Sequence, residues 1–146
     1  MAAMHFYLLF DGNCEEAFTF YRTVFEGEFL ALIRYDDVKK DEALLPVSDG
    51  IKNKIEHISL SIGQGAILMG TDAKAEMAEK IVLGNNFSIY MEAENKQETE
   101  YLFHGLSEGG NVLMPLAVAH WGDYFTMFTD QFGINWFLNC KSDKYQ

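Results

Sequence analysis

Asn13-Cys14-Glu15-Glu16-Ala17-Phe18-Thr19-Phe20-Tyr21-Arg22-Thr23-Val24-Phe25-Glu26-Gly27-Glu28 recurs, much altered, as residues 95–110. One shift of 82 positions, from Asn13 to Asn95, overlays the two stretches without a gap. Asn13 meets Asn95, Glu16 meets Glu98, Glu26 meets Glu108 and Gly27 meets Gly109. Tyr21 falls on Phe103, Phe20 on Leu102 and Val24 on Leu106. A period of more than half the chain implies a duplicated supersecondary unit. Each copy reads as a helix. Asparagine three residues before glutamate resembles a capping box, the apolar residues recur at helical spacing, and glycine follows the last turn.

Working outward, His5–Phe10 is short, apolar and bounded by Asp11-Gly12-Asn13, which reads as a buried strand. Phe29–Tyr35 reads as a second strand. Residues 36–54 are charged, contain Pro46 and Gly50, and read as a long loop of the kind that often carries function. Ile55–Ile62 alternates, with Ile58, Leu60 and Ile62 on one face and His57, Ser59 and Ser61 on the other. Gly63-Gln64-Gly65 turns it back into Ala66–Thr71 as a hairpin. Residues 72–84 form a solvated, partly helical connector. The order then restarts with Phe87–Ala93, a helix, and strands at Asn111–Ala119, Tyr124–Thr129 and Ile134–Asn139. The fold class expected is α+β, two strand–helix–strand–strand–strand modules in one domain over residues 1–146. Module one spans about residues 5–72, the connector 73–84 and module two about 85–141.

Composition narrows the partners. The chain carries 22 acidic against 11 basic residues, a formal charge of −11, which repels phosphate backbones and excludes nucleic acid as a partner. No apolar run approaches the roughly 18–20 residues of a membrane span, and no signal peptide is visible, so neither membrane association nor export is expected. Cys14 and Cys140 belong to no CxxC pattern and read as buried bystander thiols in a reducing, cytoplasmic protein. No glycine-rich nucleotide fingerprint or P-loop occurs between a strand and a helix, so no cofactor is expected.

The paired modules, with Tyr7-Leu8-Leu9-Phe10-Asp11-Gly12-Asn13-Cys14-Glu15-Glu16-Ala17 and Phe20-Tyr21, resemble the vicinal oxygen chelate superfamily, the glyoxalase and bleomycin-resistance fold. His57, Met69-Gly70-Thr71-Asp72, Gly84-Asn85-Asn86-Phe87, Trp121-Gly122-Asp123 and Thr129–Trp136, closing on Asn139, point within it to the PhnB-like group. The resemblance spans about residues 5–140. It implies eight strands curved around a cleft, a homodimer, and in members of known chemistry a divalent metal. Carried over one position at a time, the metal ligands would be Phe6, Met69, Ser88 and Phe137. None suits an ion that prefers imidazole or carboxylate, so no metal site is expected. A one-residue slip would substitute His5 for Phe6 and Phe87 for Ser88. PhnB-like domains also carry an inherited methyltransferase label, which no glycine-rich loop here supports.

The expected function is therefore binding of a small organic ligand in a metal-free cleft lined by Phe6, His57, Ser59, Met69, Asn86, Ser88, Tyr90, Trp121 and Phe137. His57 stands either as a proton acceptor, its ordinary pKa being useful near neutrality, or as a histidine bonded to backbone without chemistry. Trp121 is either a flat wall for a planar ligand or a plug at a sheet corner. Asn85 and Asn86 could hold a carbonyl or simply make a turn. Asp130 and Gly133 read as turn residues, and Phe132 and Trp136 as core. The alternative is a metal-dependent lyase, isomerase or dioxygenase with His57 as ligand or base. A third reading has the second module serving mainly dimer formation.

Overall fold

The computed structural model describes residues 1–38 and 49–144; Pro46 and the middle of the expected 36–54 loop lie outside the described residues. The chain divides into two compact units, Met1–Ile81 and Val82–Gln146. The boundary falls inside the expected connector.

In the first unit, β1 (Phe6–Phe10), α1 (Cys14–Phe25), β2 (Phe29–Arg34), β3 (Ile55–Ser61) and β4 (Ile67–Asp72) follow in sequence. The short α2 (Ala75–Ala78) closes the unit. The four strands form one sheet in the order β1-β4-β3-β2, with β1 parallel to β4 and the other neighbours antiparallel. The second unit repeats the plan with β5 (Ile89–Glu92), α3 (Lys96–Ser107), β6 (Asn111–Val118), β7 (Tyr124–Thr129) and β8 (Asn135–Cys140). Its sheet runs β5-β8-β7-β6, again with the outer parallel pair. The hydrogen-bonded ladders are thus two sheets of four strands.

Each sheet lays one face against its helix. Cys14, Ala17, Phe18, Tyr21 and Val24 make the buried stripe of α1. Phe18 belongs to that stripe in place of Phe20, and its ring meets Phe10 of β1 edge-on at 6.1 Å. A side chain at Gly70 would place its Cβ 2.6 Å from Phe18, so glycine is what lets α1 lie down on β4. On the α3 side, Phe128 meets Phe103, and Trp136, Leu138 and Cys140 are fully buried.

The two helix starts look alike in sequence and are capped differently. Asn95 accepts from the Glu98 backbone N–H at 2.8 Å, while Glu98 reaches back to the Glu94 N–H at 3.0 Å. At Asn13 the side chain makes no capping bond. The buried carboxylate of Asp72 does that work, accepting from the Cys14 N–H and the Ile55 N–H, both at 2.9 Å. The reason is geometric: Asn95 is extended at φ −158°, whereas Asn13, at φ −112° and ψ 22°, is not.

The repeat of 82 holds for the helices and fails in what flanks them. On β1 the even positions Phe6, Leu8 and Phe10 face α1, whereas on β5 the odd positions Ile89 and Met91 face α3. After the helices, a Cβ on Gly27 would sit 2.3 Å from the Ser61 carbonyl oxygen. The matching close approach, 2.2 Å to the Thr129 oxygen, is made by Gly110 rather than Gly109. Glu26 and Gly109 take the left-handed positions, at φ 52° and 76°.

Asp72→Ala leaves two buried N–H groups without an acceptor and should lower the unfolding free energy by about 2–4 kcal/mol. Urea denaturation measures this, and Asp72→Asn, which keeps one acceptor, should lose about half as much.

Candidate functional site

The helix-free faces are where side chains remain available to a ligand. In the first unit this face carries Tyr7 and Leu9 from β1, Ile67, Met69 and Thr71 from β4, and His57 and Ser59 from β3. Tyr7 and His57 are neighbours there, with the phenol oxygen 3.4 Å from Nδ1 and the rings 5.8 Å apart. Burial, then the charge of Glu56, raises the Tyr7 phenol above its ordinary value. Phe6 is corrected: it shares the α1 face with Leu8 and Phe10, because β1 is one residue out of the assumed register.

In the second unit the helix-free face is a row of rings. Tyr90 of β5 lies 5.2 Å from Phe137 of β8, and Phe137 lies 5.2 Å from Phe125 of β7. Trp121, from the β6–β7 turn, lies 4.8 Å from Phe125 and 4.9 Å edge-on to His120. Tyr90 and Trp121 are half exposed, while Phe125 is 6% exposed and forms the floor. Strand register builds the row, since Tyr90 pairs with Phe137 and Phe125 pairs with Asn139.

One end of the row is polar. Asn139, only 2% exposed, lies between Phe125 and Glu92 in register. Its Nδ2 donates to Asp123 Oδ2 at 3.1 Å, and Asp123 Oδ1 accepts from the Ser142 N–H at 3.1 Å. Asn139 Oδ1 is buried and has no hydrogen-bond partner among the described residues. Such an orphan acceptor costs about 1–3 kcal/mol. Tyr90 donates to Glu92 Oε1 at 3.1 Å, and Lys141 lies 3.6 Å from the same oxygen. Burial, the bond to Glu92 and the charges of Glu92 and Asp123 raise the Tyr90 phenol; the Asn139 carboxamide beside it opposes them.

The remaining expected site residues fall elsewhere. Asn86 and Ser88 precede β5, in a segment held by the Asn135 Nδ2, which donates to the Gly84 and Phe87 carbonyls. Trp136 is core, its indole N–H donating to Asp130 at 2.9 Å. Asp130 also accepts from the Phe132 and Ile134 N–H groups and so shapes the turn. Cys14 and Cys140 are free and buried, and burial pushes the Cys14 thiol well above its usual value, which removes it as a nucleophile. A pocket of about 390 Å³ lies off the start of α1, but its charges are spent on one another: Arg34 makes two bonds to Glu15, and Lys54 donates to the Gly12 carbonyl. Sequence reading missed Phe125, Tyr7 and Asn139 as site residues. For Phe125 a signal existed, the alternation of Phe125 and Met127 against Tyr124, Thr126 and Phe128.

Comparison with known proteins identifies the lineage. Residues 2–139 match the family model described as 3-demethylubiquinone-9 3-methyltransferase. The chain belongs to this PhnB-like family. The structure of protein PA1353 from Pseudomonas aeruginosa is 33% identical, with 100% of each chain covered and a TM-score of 0.79. The Bacillus cereus structure titled putative 3-demethylubiquinone-9 3-methyltransferase, PhnB protein, is 23% identical, covers 95% of this chain and 99% of its own, and has a TM-score of 0.68. The fosfomycin resistance protein FosX from Mesorhizobium loti shares the fold at 10% identity and TM-score 0.59, with 94% of this chain and 89% of that one covered. The two units are thus glyoxalase-type modules.

Neither the divalent ion that the resemblance implies nor the methyl donor that the family description implies fits the residues present. For a divalent ion, the helix-free positions of β1 and β4 offer Tyr7, Met69 and Thr71, and those of β5 and β8 offer Tyr90, Glu92, Phe137 and Asn139. Among the described residues no three His, Cys, Asp or Glu side chains converge. For a methyl-donor cofactor, a strand-to-helix cradle would need a glycine-rich turn that lets the backbone approach the ligand. The turn before α1 is Asp11-Gly12-Asn13, with the Asp72 carboxylate accepting the Cys14 N–H, and the turn before α3 is Ala93-Glu94-Asn95, with Asn95 accepting the Glu98 N–H; both are acidic and neither is glycine-rich.

Elemental analysis of protein purified without chelator should find no stoichiometric zinc, nickel, manganese or iron, and added metal should leave thermal stability unchanged. The pH dependence has a definite sign. Tyr7, Tyr35, Tyr90 and Tyr124 all titrate above 10.0, so the native state keeps protons that the unfolded chain releases. Their contribution is fully present below about pH 10 and is lost as pH climbs through the folded-state values. Urea denaturation in steps above about pH 9 should record the decline, and Tyr90→Phe should make it shallower.

Proposed function

We propose that this protein is a small-molecule binding module whose second unit takes an organic ligand on the helix-free face of β5, β8 and β7. One observation carries the reading: Tyr90, Phe137, Phe125 and Trp121 form an unbroken row of rings on the side of their sheet away from α3. Ligand sites pair apolar and aromatic walls with a few polar anchors, and here the anchors are Asn139, Glu92 and Asp123. A homodimer in the cytoplasm is part of this reading. Both come from the family resemblance; the charge of −11 adds only that nucleic acid is disfavoured as a partner. Transfer of a methyl group from a bound donor is not part of it, for want of a cofactor cradle.

A second reading rests on the Tyr7–His57 pair of the first unit. A half-buried imidazole 3.4 Å from a phenol is an arrangement that can accept and return a proton, which would make the chain an enzyme with His57 as base.

A thermal-shift screen of small aromatic compounds supplies ligands for the test. Trp121→Ala should then weaken affinity roughly tenfold or more, the loss expected when ~1.5–3 kcal/mol of buried aromatic surface is removed. His57→Gln should change affinity by no more than about fivefold, one hydrogen bond. If instead turnover is found and His57→Gln lowers it roughly a hundredfold with affinity kept, the second reading replaces the first.

A further inference from the structure

The polar end of the ring row consists of acceptors. Asn139 cannot reverse its carboxamide, because Nδ2 is held by the Asp123 carboxylate at 3.1 Å and an oxygen in that place would face another oxygen. What it presents is therefore Oδ1, buried and unpartnered. Asp123 brings a negative charge, and both of its oxygens already accept, from Asn139 and from the Ser142 N–H. Glu92 adds a second charge on the neighbouring strand, with Oε1 accepting from Tyr90. The cation recorded beside this cluster is Lys141, which meets Glu92 at 3.6 Å with both side chains about half exposed, a weak pairing open to competition.

We propose that this face selects a planar aromatic ligand bearing a protonated amine, its ring lying along Phe137, Phe125 and Trp121 and its ammonium seated at Asn139 Oδ1 and Glu92. The proposal rests on the binding reading above and names the chemistry that reading leaves open. An ammonium satisfies the orphan oxygen with a charge-assisted hydrogen bond, is attracted by two carboxylates, and gains from the π-faces beside it. A carboxylate ligand meets the reverse of each. A neutral ligand without a donor leaves Oδ1 as it is. Tyr90 stands on an edge strand, half exposed and bonded to Glu92. Turning its ring aside breaks that bond and releases the Glu92 carboxylate to accept from a ligand.

Isothermal titration at about 0.15 M salt, where long-range attraction by the net charge is screened, tests this with three probes on one ring. They are 1-naphthylmethylammonium, 1-naphthylmethanol and 1-naphthylacetate. The expected order has the ammonium tighter than the alcohol by about fivefold or more, and tighter than the carboxylate by about tenfold or more. Glu92→Gln and Asn139→Leu should each shrink the ammonium's advantage to about twofold or less, while Trp121→Ala weakens all three probes together. Glu92 is exposed, so Glu92→Gln decides the matter should Asn139→Leu fail to fold. Equal binding of the three probes, or an advantage that survives Glu92→Gln, overturns the amine selectivity and leaves the binding reading standing. Failure of all three to bind overturns both.

Discussion

A single helix can lie against only one face of a four-stranded sheet. That constraint governs each unit of this protein. Strand side chains alternate with a period of two, so each residue goes either to the packed face or to the open one. The covered faces collect Leu8, Phe10, Ile58, Leu60 and Leu68 in one unit and Ile89, Phe128, Trp136 and Leu138 in the other. Whatever chemistry a unit has is left on the opposite side. The same rule explains why a one-residue error in register matters so much: it exchanges core for site along a whole strand.

Polar groups at the ends of the sheets show the two outcomes of burial. Asp72 faces the helix, and each of its oxygens takes a backbone N–H, so a buried carboxylate becomes a cap and a clamp between α1 and β3. Asn139 pairs with the last residue of β5 as Asp72 pairs with the last residue of β1, yet it faces the ring row and keeps one oxygen unsatisfied. A satisfied group stabilises the fold, whereas an unsatisfied one holds a stabilisation that only a further partner can realise. Asp130 belongs with Asp72: three donors, two of them backbone and one the Trp136 indole, tie its turn to the core of the second unit.

Family membership and activity separate here. The family description names a methyltransferase, but the strand-to-helix turns, Asp11-Gly12-Asn13 and Ala93-Glu94-Asn95, are acidic and not glycine-rich, and Asp72 and Asn95 each take a helix N–H there. Folds of this kind host unrelated chemistries, so function has to be read from the site. The face of the second unit away from α3 is aromatic, with acceptors at one end, which is why we propose binding for it.

Periodicity alone sufficed for the element order, the two helices and the duplicated plan, because cap residues, helical spacing and strand alternation are local and act within a few residues. Strand alternation nominated His57 and Tyr90, and the family resemblance nominated Trp121 and Phe137. Periodicity could not distinguish an even from an odd register on β1. Phe6 and Tyr7 are both apolar enough to be buried, and the helix repeat of 82 was carried into strands that are one residue out of step. Nor could it find Asp72 as the cap of α1, since that carboxylate arrives from a strand 58 residues away. Phe125 joining Phe137, and Asn139 left with an unpartnered oxygen, were likewise decided only when β7 and β8 paired. Register and long-range pairing belong to the assembled sheet, and no local stretch of sequence contains them.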